Sequence, residues 1–213
     1  MTPQHHLPAD IERTSMGIIT AELEARGLNI PPENAAVVKR VIHTTADFDY
    51  AVNLRFTPGA VAAGVAAVQS GATIITDTNM ALAGVTKPGL ARLGGQALCF
   101  MADPAVAIAA KQAGTTRAVA AMHKAAREYP GAVFAVGNAP TALLAIAEEI
   151  ENGLRPALVI GVPVGFVNVV ESKELLRAMP GEHIVALGRK GGSNVAAAIC
   201  NALLYTASHD ARE

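Results

Sequence analysis

The sequence predicts a three-layer α/β/α domain built on a five-stranded parallel sheet. Three observations predict it: five short apolar runs, helical patterns between them, and Gly, Pro, Asp or Asn residues at the borders of each run. Continuous apolar runs of this length are typical of strands buried on both faces of a parallel sheet. Alternation of strands with helices favours helix layers on both sides of that sheet. The runs are Ala72–Thr76, Ala97–Met101, Ala132–Val136, Ala157–Gly161 and Ile184–Leu187.

Additional helices precede the sheet. One is predicted from Asp10 to about Ala25 and ends at Gly27, and a helix after Thr57-Pro58 runs to Ser70. Residues 1–8 are predicted to be a loose tail that contains two histidines, and Asp49–Phe56 is ambiguous. We find no second domain or linker, so residues 1–213 form a single α/β domain. The helices between the strands are Asn79–Ala83, Ala105–Glu128, Ala139–Asn152, Val170–Met179 and Asn194–Tyr205.

The stretch Ala35–Asp47, AAVVKRVIHTTAD, combines an apolar stripe with ionisable side chains. It follows two prolines, which favour the first turn of a helix. At about 100° per residue, Arg40, His43 and Asp47 fall one turn apart, opposite the apolar positions. Imidazole titrates near pH ~6.5, and arginine can hold a carboxylate with two hydrogen bonds. The alternative interpretation is an ordinary solvated helix face. The apolar side is Val38, Val41, Ile42 and Thr45.

Composition and charge exclude several classes of protein. The chain is 51% hydrophobic and 16% charged, with a net charge of −1. Nothing in this balance points to a nucleic acid or an anionic membrane as partner. No run reaches the roughly 20 apolar residues that cross a bilayer, so we expect no membrane segment. The high apolar content instead predicts faces that are buried in a homo-oligomer.

The compartment is predicted from the N-terminus and the cysteines. The first ten residues, MTPQHHLPAD, lack a basic region followed by an apolar stretch, so no signal peptide is expected. Cys99 and Cys200 are far apart and follow no metal or disulfide pattern. We therefore expect two reduced cysteines in a cytoplasmic protein.

The loops after the predicted strands are candidates for a ligand site. Ligands on open parallel sheets bind outside the carboxyl ends of the strands. Several of these loops are rich in glycine and lead into helix N-termini, whose free N–H groups favour anions. One of them carries Arg189 and Lys190, which strengthens the prediction of an anion-binding cleft over ordinary turn chemistry. The loops are Asp77–Met80, Gly137–Thr141, Gly161–Phe166 and Gly188–Ser193.

Common cofactor and catalytic motifs are missing. The sequence has no phosphate-binding loop, no dinucleotide fingerprint and no nucleophile elbow, and its His and Cys residues lack zinc spacing. We therefore predict no metal site and no nucleotide or methyl-donor cofactor. His123 and His183 are interpreted as surface or structural residues. Arg117 is either a further carboxylate clamp or an exposed residue.

Several segments, in order along nearly the whole chain, resemble the precorrin-8X methylmutase family of cobalamin biosynthesis. The strings GNAPTALL and GVPVGFVNVVESK are specific to it, and HTTADFDYA is more similar to its cobalt-dependent branch. The matching segments are Ile11–Ile19, Val38–Ala51, Asp77–Val85, Thr115–Met122, Gly137–Leu144, Gly161–Lys173 and Gly188–Leu203.

The resemblance implies a flavodoxin-like fold and a homodimer with active sites at the subunit interface. It implies an isomerase that moves a methyl group from carbon 11 to carbon 12 of precorrin-8 or cobalt-precorrin-8, giving hydrogenobyrinic or cobyrinic acid. No external methyl donor is used, and any cobalt is carried by the tetrapyrrole substrate. By position in the motif, His43 matches the catalytic histidine, while Arg40 and Ser15 match substrate-binding residues.

The chain departs from the family pattern beside Ser15, since Thr14 stands where an arginine is common and Met16 where phenylalanine is frequent. One carboxylate contact is thereby placed in doubt. We expect His43 to protonate a ring nitrogen and to retrieve the proton. The other predicted substrate-binding residues are Thr14, Arg117, Asn138, Thr141, Gly165, Gly192 and Ser193.

Two other functions remain open from the sequence. One is a non-catalytic carrier that holds a tetrapyrrole in the same cleft without converting it. The other is a flavodoxin-like module that binds a flavin or nucleotide. An absorption spectrum of the purified protein separates a corrin from a flavin, and a turnover assay separates an enzyme from a carrier.

Overall fold

A computed structural model describes residues 8–208, which fold around a six-stranded sheet. The strands are β1 (Leu54–Phe56), β2 (Ile74–Thr76), β3 (Ala97–Leu98), β4 (Val133–Val136), β5 (Leu158–Gly161) and β6 (His183–Ala186). The helices are α1 (Pro8–Ala25), α2 (Ala35–Thr45), α3 (Tyr50–Asn53), α4 (Ala60–Gln69), α5 (Asn79–Gly84), α6 (Lys87–Arg92), α7 (Pro104–Gln112), α8 (Arg117–Glu128), α9 (Pro140–Glu151), α10 (Val169–Ala178) and α11 (Ser193–Ser208). Short 3₁₀ turns cover Pro32–Asn34 and Phe100–Ala102.

The sheet has one strand more than the sequence predicts. The order is β1-β6-β5-β4-β2-β3, and the five predicted strands are parallel to one another. The sixth, β1, lies antiparallel to β6 at the edge, with Leu54 opposite Ala186. The prediction of five strands is therefore wrong by one. This edge strand has only three residues and an exposed Arg55 at its centre, so it leaves no continuous apolar run.

Helices cover both faces of the sheet, which confirms the three layers. Ile74, Leu158 and Ile184 pack into a core with α1, α2, α4 and α11. The neighbouring residues Ile75 and Val159 point to the opposite face and pack with α8, α9 and α10. Because successive side chains of a strand alternate between faces, each short apolar run supplies both cores.

One predicted helical stretch is divided in the structure, and another helix ends early. The stretch predicted over Ala105–Glu128, where Thr115-Thr116-Arg117 is expected to begin or interrupt a helix, is two helices, since the chain turns at Gly114 with a φ of +63°. The Thr116 hydroxyl then accepts the Val119 N–H and caps the second helix. The helix predicted to reach Asp47 ends at Thr45 because Ala46 has a left-handed backbone, with a φ of +53°. The predicted tail and its histidines lie outside the described residues except for residue 8, which begins α1.

Helix α2 runs towards the carboxyl edge of the parallel sheet. Its first half lies beside Ala202 and Tyr205 of late α11, a helix that begins at that edge. After α2 ends, Asp47 and Asp49 each accept a 2.6 Å hydrogen bond from the Lys190 amine in the loop that follows β6. The end of α2 that carries His43 is therefore attached to the loops where a ligand of such a sheet binds. Over residues 8–208, no helix combines the length and the apolar character that crossing a membrane requires.

Candidate active site

His43 and Ser15 form a hydrogen-bonded pair where α1 packs against α2. The Ser15 hydroxyl lies 2.8 Å from Nδ1 of His43, and both side chains are partly buried. A hydroxyl can donate to a neutral ring nitrogen or accept from a protonated one. The ring orientation can thus persist while the proton at Nε2 comes and goes, as a general acid–base requires.

The pair opens onto a cavity of about 580 Å³ between the two helices. Most of its wall is apolar, and Ile18 is 60% exposed. At one end the Arg26 guanidinium lies 4.3 Å from the centre of the Phe48 ring. The wall consists of Ile11, Thr14, Ser15, Ile18, Ile19, Glu22, Arg26, Ile42, His43, Ala46 and Phe48. Such a cavity suits a mainly apolar ligand that also carries polar groups.

Arg40 lies in a different cavity from His43, contrary to the shared polar face expected from the sequence. Its side chain is buried, forms an ion pair with Glu12 of α1 and lies 4.8 Å from the centre of the Tyr205 ring. It lines a cavity of about 350 Å³ on the opposite side of α1. Glu12 stands one turn before Ser15 on the same helix, but nothing in the sequence pattern predicts it as the partner of Arg40. Lys39 lines the same cavity.

The N–H groups of the loop after β4 donate to a carboxylate of the chain itself. The buried carboxylate of Asp77 accepts hydrogen bonds from the N–H groups of Gly137, Asn138 and Ala139, at 2.9, 2.8 and 2.7 Å. Burial raises the pKa of Asp77, while the three N–H donors act in the opposite direction. The prediction that these N–H groups form part of an anion-binding cleft is therefore wrong. Only the side chain of Asn138 is exposed there.

The loop after β6 is also anchored inside the chain. The buried amine of Lys173 donates to the carbonyl oxygens of Gly188 and Lys190, at 2.8 Å each. Lys190 bonds the two aspartates after α2, which hold its pKa above the usual value, so this predicted clamp already has partners. Arg189 remains exposed, with its guanidinium 5.3 Å from the centre of the exposed Phe166 ring. Both predicted cations are exposed, but Lys190 is ion-paired with two carboxylates whereas Arg189 lies over an aromatic ring.

Glycines let the carboxyl-edge loops pack closely. A Cβ on Gly191 would lie 2.1 Å from the carbonyl oxygen of Val162, so only glycine fits. Next to it, the Gly192 N–H donates to the same carbonyl at 2.9 Å, and the Ser193 hydroxyl bonds Thr78 at 2.8 Å. Gly165 donates its N–H to the Arg189 carbonyl at 3.2 Å. These predicted substrate-binding residues therefore have roles in joining the loops to one another.

The remaining candidates lie at the start of α8 and α9. Arg117 is exposed at the first position of α8, and Thr141 bonds Thr116 through the two hydroxyls at 3.3 Å. The other two histidines within residues 8–208 have structural surroundings: His123 lies 2.6 Å from Glu149, and His183 is buried at the start of β6. The structure thus brings Thr14, Ser15 and His43 into one cavity, places Arg40 in a second one, and distributes the remaining candidates over the carboxyl edge.

Comparison with known proteins identifies the family. The chain matches the model of the precorrin-8X methylmutase family over residues 10–206. The chain belongs to this family. It is 42% identical over 197 residues to the cobalt-precorrin-8 methylmutase of Priestia megaterium, covering 92% of this chain and 87% of that protein. It is 49% identical over 175 residues to the enzyme of the same name from Salmonella typhimurium, covering 82% of each chain.

A solved structure of the family has the same fold. The precorrin-8X methylmutase of Thermus thermophilus superposes with a TM-score of 0.84 and 42% identity, over 93% of this chain and 98% of that one. The precorrin-8X methylmutase of Pseudomonas aeruginosa is 40% identical over 198 residues, covering 91% of this chain and 93% of that protein. Membership of this family makes the chain an isomerase of cobalamin biosynthesis, which relocates a methyl group within its substrate.

Proposed function

We propose that this chain converts cobalt-precorrin-8 to cobyrinic acid by moving a methyl group from ring carbon 11 to carbon 12. The observation that carries the proposal is the Ser15–His43 pair in an open, largely apolar cavity of a methylmutase-family chain. The cobalt form is favoured because relatives that are 42% and 49% identical are named cobalt-precorrin-8 methylmutases. Cobalt arrives with the substrate, and the migration needs no separate methyl donor.

His43 supplies the acid–base step in this proposal. A methyl shift around a conjugated ring requires the π-system to be polarised, and a proton delivered to a ring nitrogen achieves this. Nδ1 of His43 is engaged by Ser15, so Nε2 is the atom that gives the proton and takes it back. Because both carbons belong to one molecule, proximity adds little, and the rate gain is electrostatic.

Substrate carboxylates are held by residues around this site. Thr14 and Ser15 lie in the same cavity as His43, and Arg40 is one turn away in the neighbouring cavity. Arg117, Asn138 and Thr141 offer exposed or partly exposed side chains at the carboxyl edge. Gly165, Gly192 and Ser193 shape the loops there. The acetate and propionate arms of a tetrapyrrole give each of these groups an anionic partner.

The fold and assembly support the same proposal. Counted among themselves, the five parallel strands have the order 2-1-3-4-5, which is that of flavodoxin-like sheets, with ligands at their carboxyl edge. The cavity of His43 is open and has exposed apolar walls at Ile11 and Ile18. We propose that a second copy of the chain covers it, so that the working enzyme is a homodimer with active sites at the interface.

The proposal is tested by turnover of cobalt-precorrin-8 and metal-free precorrin-8, followed by the visible spectrum of the corrin product. His43→Ala is expected to lower kcat at least about a hundredfold, because the proton donor is lost, while product affinity stays within a few-fold. His123→Ala is the matched control, since that histidine pairs with Glu149 in another helix layer, and it should keep full activity. Product binding by the wild-type chain without any turnover would make it a carrier and contradict the proposal.

A further inference from the structure

A lysine lies fully buried beneath the loop that follows β6. Lys173, in the second turn of α10, has no exposed surface, and its amine donates to the carbonyl oxygens of Gly188 and Lys190. Burial lowers the pKa of Lys173 to about 8. An ammonium that is harder to charge in the folded chain than in water opposes folding at neutral pH. The lysine supplies two hydrogen bonds in return, to carbonyl oxygens that an apolar side chain of similar length would leave without this donor.

The two carbonyl groups that accept from Lys173 belong to a short loop whose sequence gives it little conformational preference of its own. Gly188 has a φ of +70°, Gly191 of +158° and Gly192 of +141°, so the loop is built from residues with wide backbone freedom. The carbonyl between the two acceptors, that of Arg189, accepts the Gly165 N–H at 3.2 Å. All three carbonyls of residues 188–190 are thus held, and two of them by one amine.

The side chains of this loop connect the carboxyl edge to the active-site helix. The Lys190 amine bonds Asp47 and Asp49, which follow the helix of His43. Its neighbour Arg189 is exposed and lies over the Phe166 ring. A change in the backbone of residues 188–190 would therefore displace the exposed Arg189, while α2 stays packed in the core that it shares with α1 and α11.

We infer that Lys173 is a positioning residue: by holding the carbonyls of Gly188 and Lys190, it sets Arg189 in place to bind a carboxylate of the substrate. Lys173 itself touches no ligand and acts through the loop backbone. The inference rests on the proposed function for the identity of the ligand, a polycarboxylate corrin. The anchoring of the loop does not depend on that identity.

The test compares Lys173→Met with the wild-type chain. Methionine matches the length of the lysine stem but donates no hydrogen bond. Cobyrinic acid affinity, measured by absorbance titration, should fall about tenfold and KM should rise equally, with kcat within about threefold, because a binding group is misplaced while His43 is intact. Lys111→Met, at an exposed lysine of α7, is the matched control and should change none of these values.

A second variant tests the route through Arg189. Arg189→Gln, on the surface, should weaken affinity as Lys173→Met does, and the double variant should lose little more, because both changes remove one contact. Unchanged affinity in Lys173→Met, additive losses, or a kcat that falls with an unchanged KM would overturn the inference. If Lys173→Met does not fold, unchanged affinity in Arg189→Gln overturns it.

Failure of the proposed function is distinguishable from failure of this inference. If the wild-type chain neither binds nor converts a corrin, the proposed function is lost. Hydrogen exchange of the Gly192 amide, which donates to Val162, then still reports on the loop. Faster exchange in Lys173→Met than in Lys111→Met supports anchoring by Lys173, and equal exchange contradicts it.

Discussion

At the scale of single residues, the two ionisable side chains of α2 are held by partners of different kinds. His43 pairs with a hydroxyl, which serves a neutral or a charged imidazole equally. Arg40 pairs with a carboxylate and an aromatic ring, and both favour a permanent cation. In the proposed function, His43 exchanges a proton while Arg40 supplies a fixed charge. A substrate carboxylate that reaches Arg40 has to share it with Glu12.

Arg40 should consequently contribute to stability as well as to binding. Arg40→Ala removes the cation from Glu12 and from the Tyr205 ring, so we expect the free energy of unfolding to fall by about 1–3 kcal/mol. Urea unfolding measures this, and product titration should show weaker binding in the same variant. Arg13→Ala removes an exposed ion pair with Asp10 and should cost less than about 1 kcal/mol. If the two variants lose equal free energy of unfolding, the ion pair of Arg40 contributes no more than an exposed one, and the prediction is contradicted.

The buried Lys173 should make stability depend on pH in a defined window. Its pKa is about 8 in the folded chain and 10.5 when unperturbed, so between these values the unfolded chain binds more protons. Stability then rises with pH, by up to roughly 3 kcal/mol across the window. The difference in stability between wild type and Lys173→Met should therefore shift in favour of wild type as the pH rises from 8 to 10.5. Urea unfolding at several pH values measures it, and a gap that is constant with pH would contradict the prediction.

At the scale of elements, the strands buried on both faces were predictable and the edge was not. Each run from β2 to β6 is apolar because helices cover both its sides. The edge strand β1 is half exposed and has a charged centre, so its pairing with β6 leaves no periodic signal. The break between α7 and α8 depends on one glycine in an alanine-rich stretch, where the local sequence also suits a continuous helix.

The joining of elements through Asp77 leads to a prediction about the loop after β4. Its two carboxylate oxygens accept three N–H groups from residues 137–139, and an amide has only one oxygen to offer. Asp77→Asn should therefore lower the free energy of unfolding by about 2–3 kcal/mol, measured by urea denaturation. Asp103→Asn, at the partly exposed cap of α7, also removes an ion pair with Lys124 and should cost less than about 1 kcal/mol. If Asp77→Asn lowers the free energy of unfolding less than Asp103→Asn does, the loop after β4 keeps its conformation without Asp77.

At the scale of the whole molecule, the sequence indicated candidate site residues, but it did not indicate which of them already have partners within the chain. His43 and Ser15 are 28 residues apart and were predicted through the family pattern, and the structure pairs them. The carboxylate of Asp77 accepts an N–H group of the loop after β4, although Asp77 and Gly137 are 60 residues apart in sequence. A glycine-rich loop has the same sequence whether its N–H groups bind a ligand or a carboxylate of the chain. Only the fold distinguishes the two.

The exposed apolar wall of the His43 cavity leads to a prediction about assembly. Ile18 on α1 is 60% exposed and lines this cavity, while Ile108 on α7 is 59% exposed in the other helix layer. If a second copy covers the cavity, Ile18→Glu buries a charge at the interface and should shift the dimer to monomer and abolish turnover. Ile108→Glu adds the same charge elsewhere and should leave both unchanged. Light scattering after size exclusion gives the mass, and a monomeric wild-type chain with full activity would show that one copy completes the site.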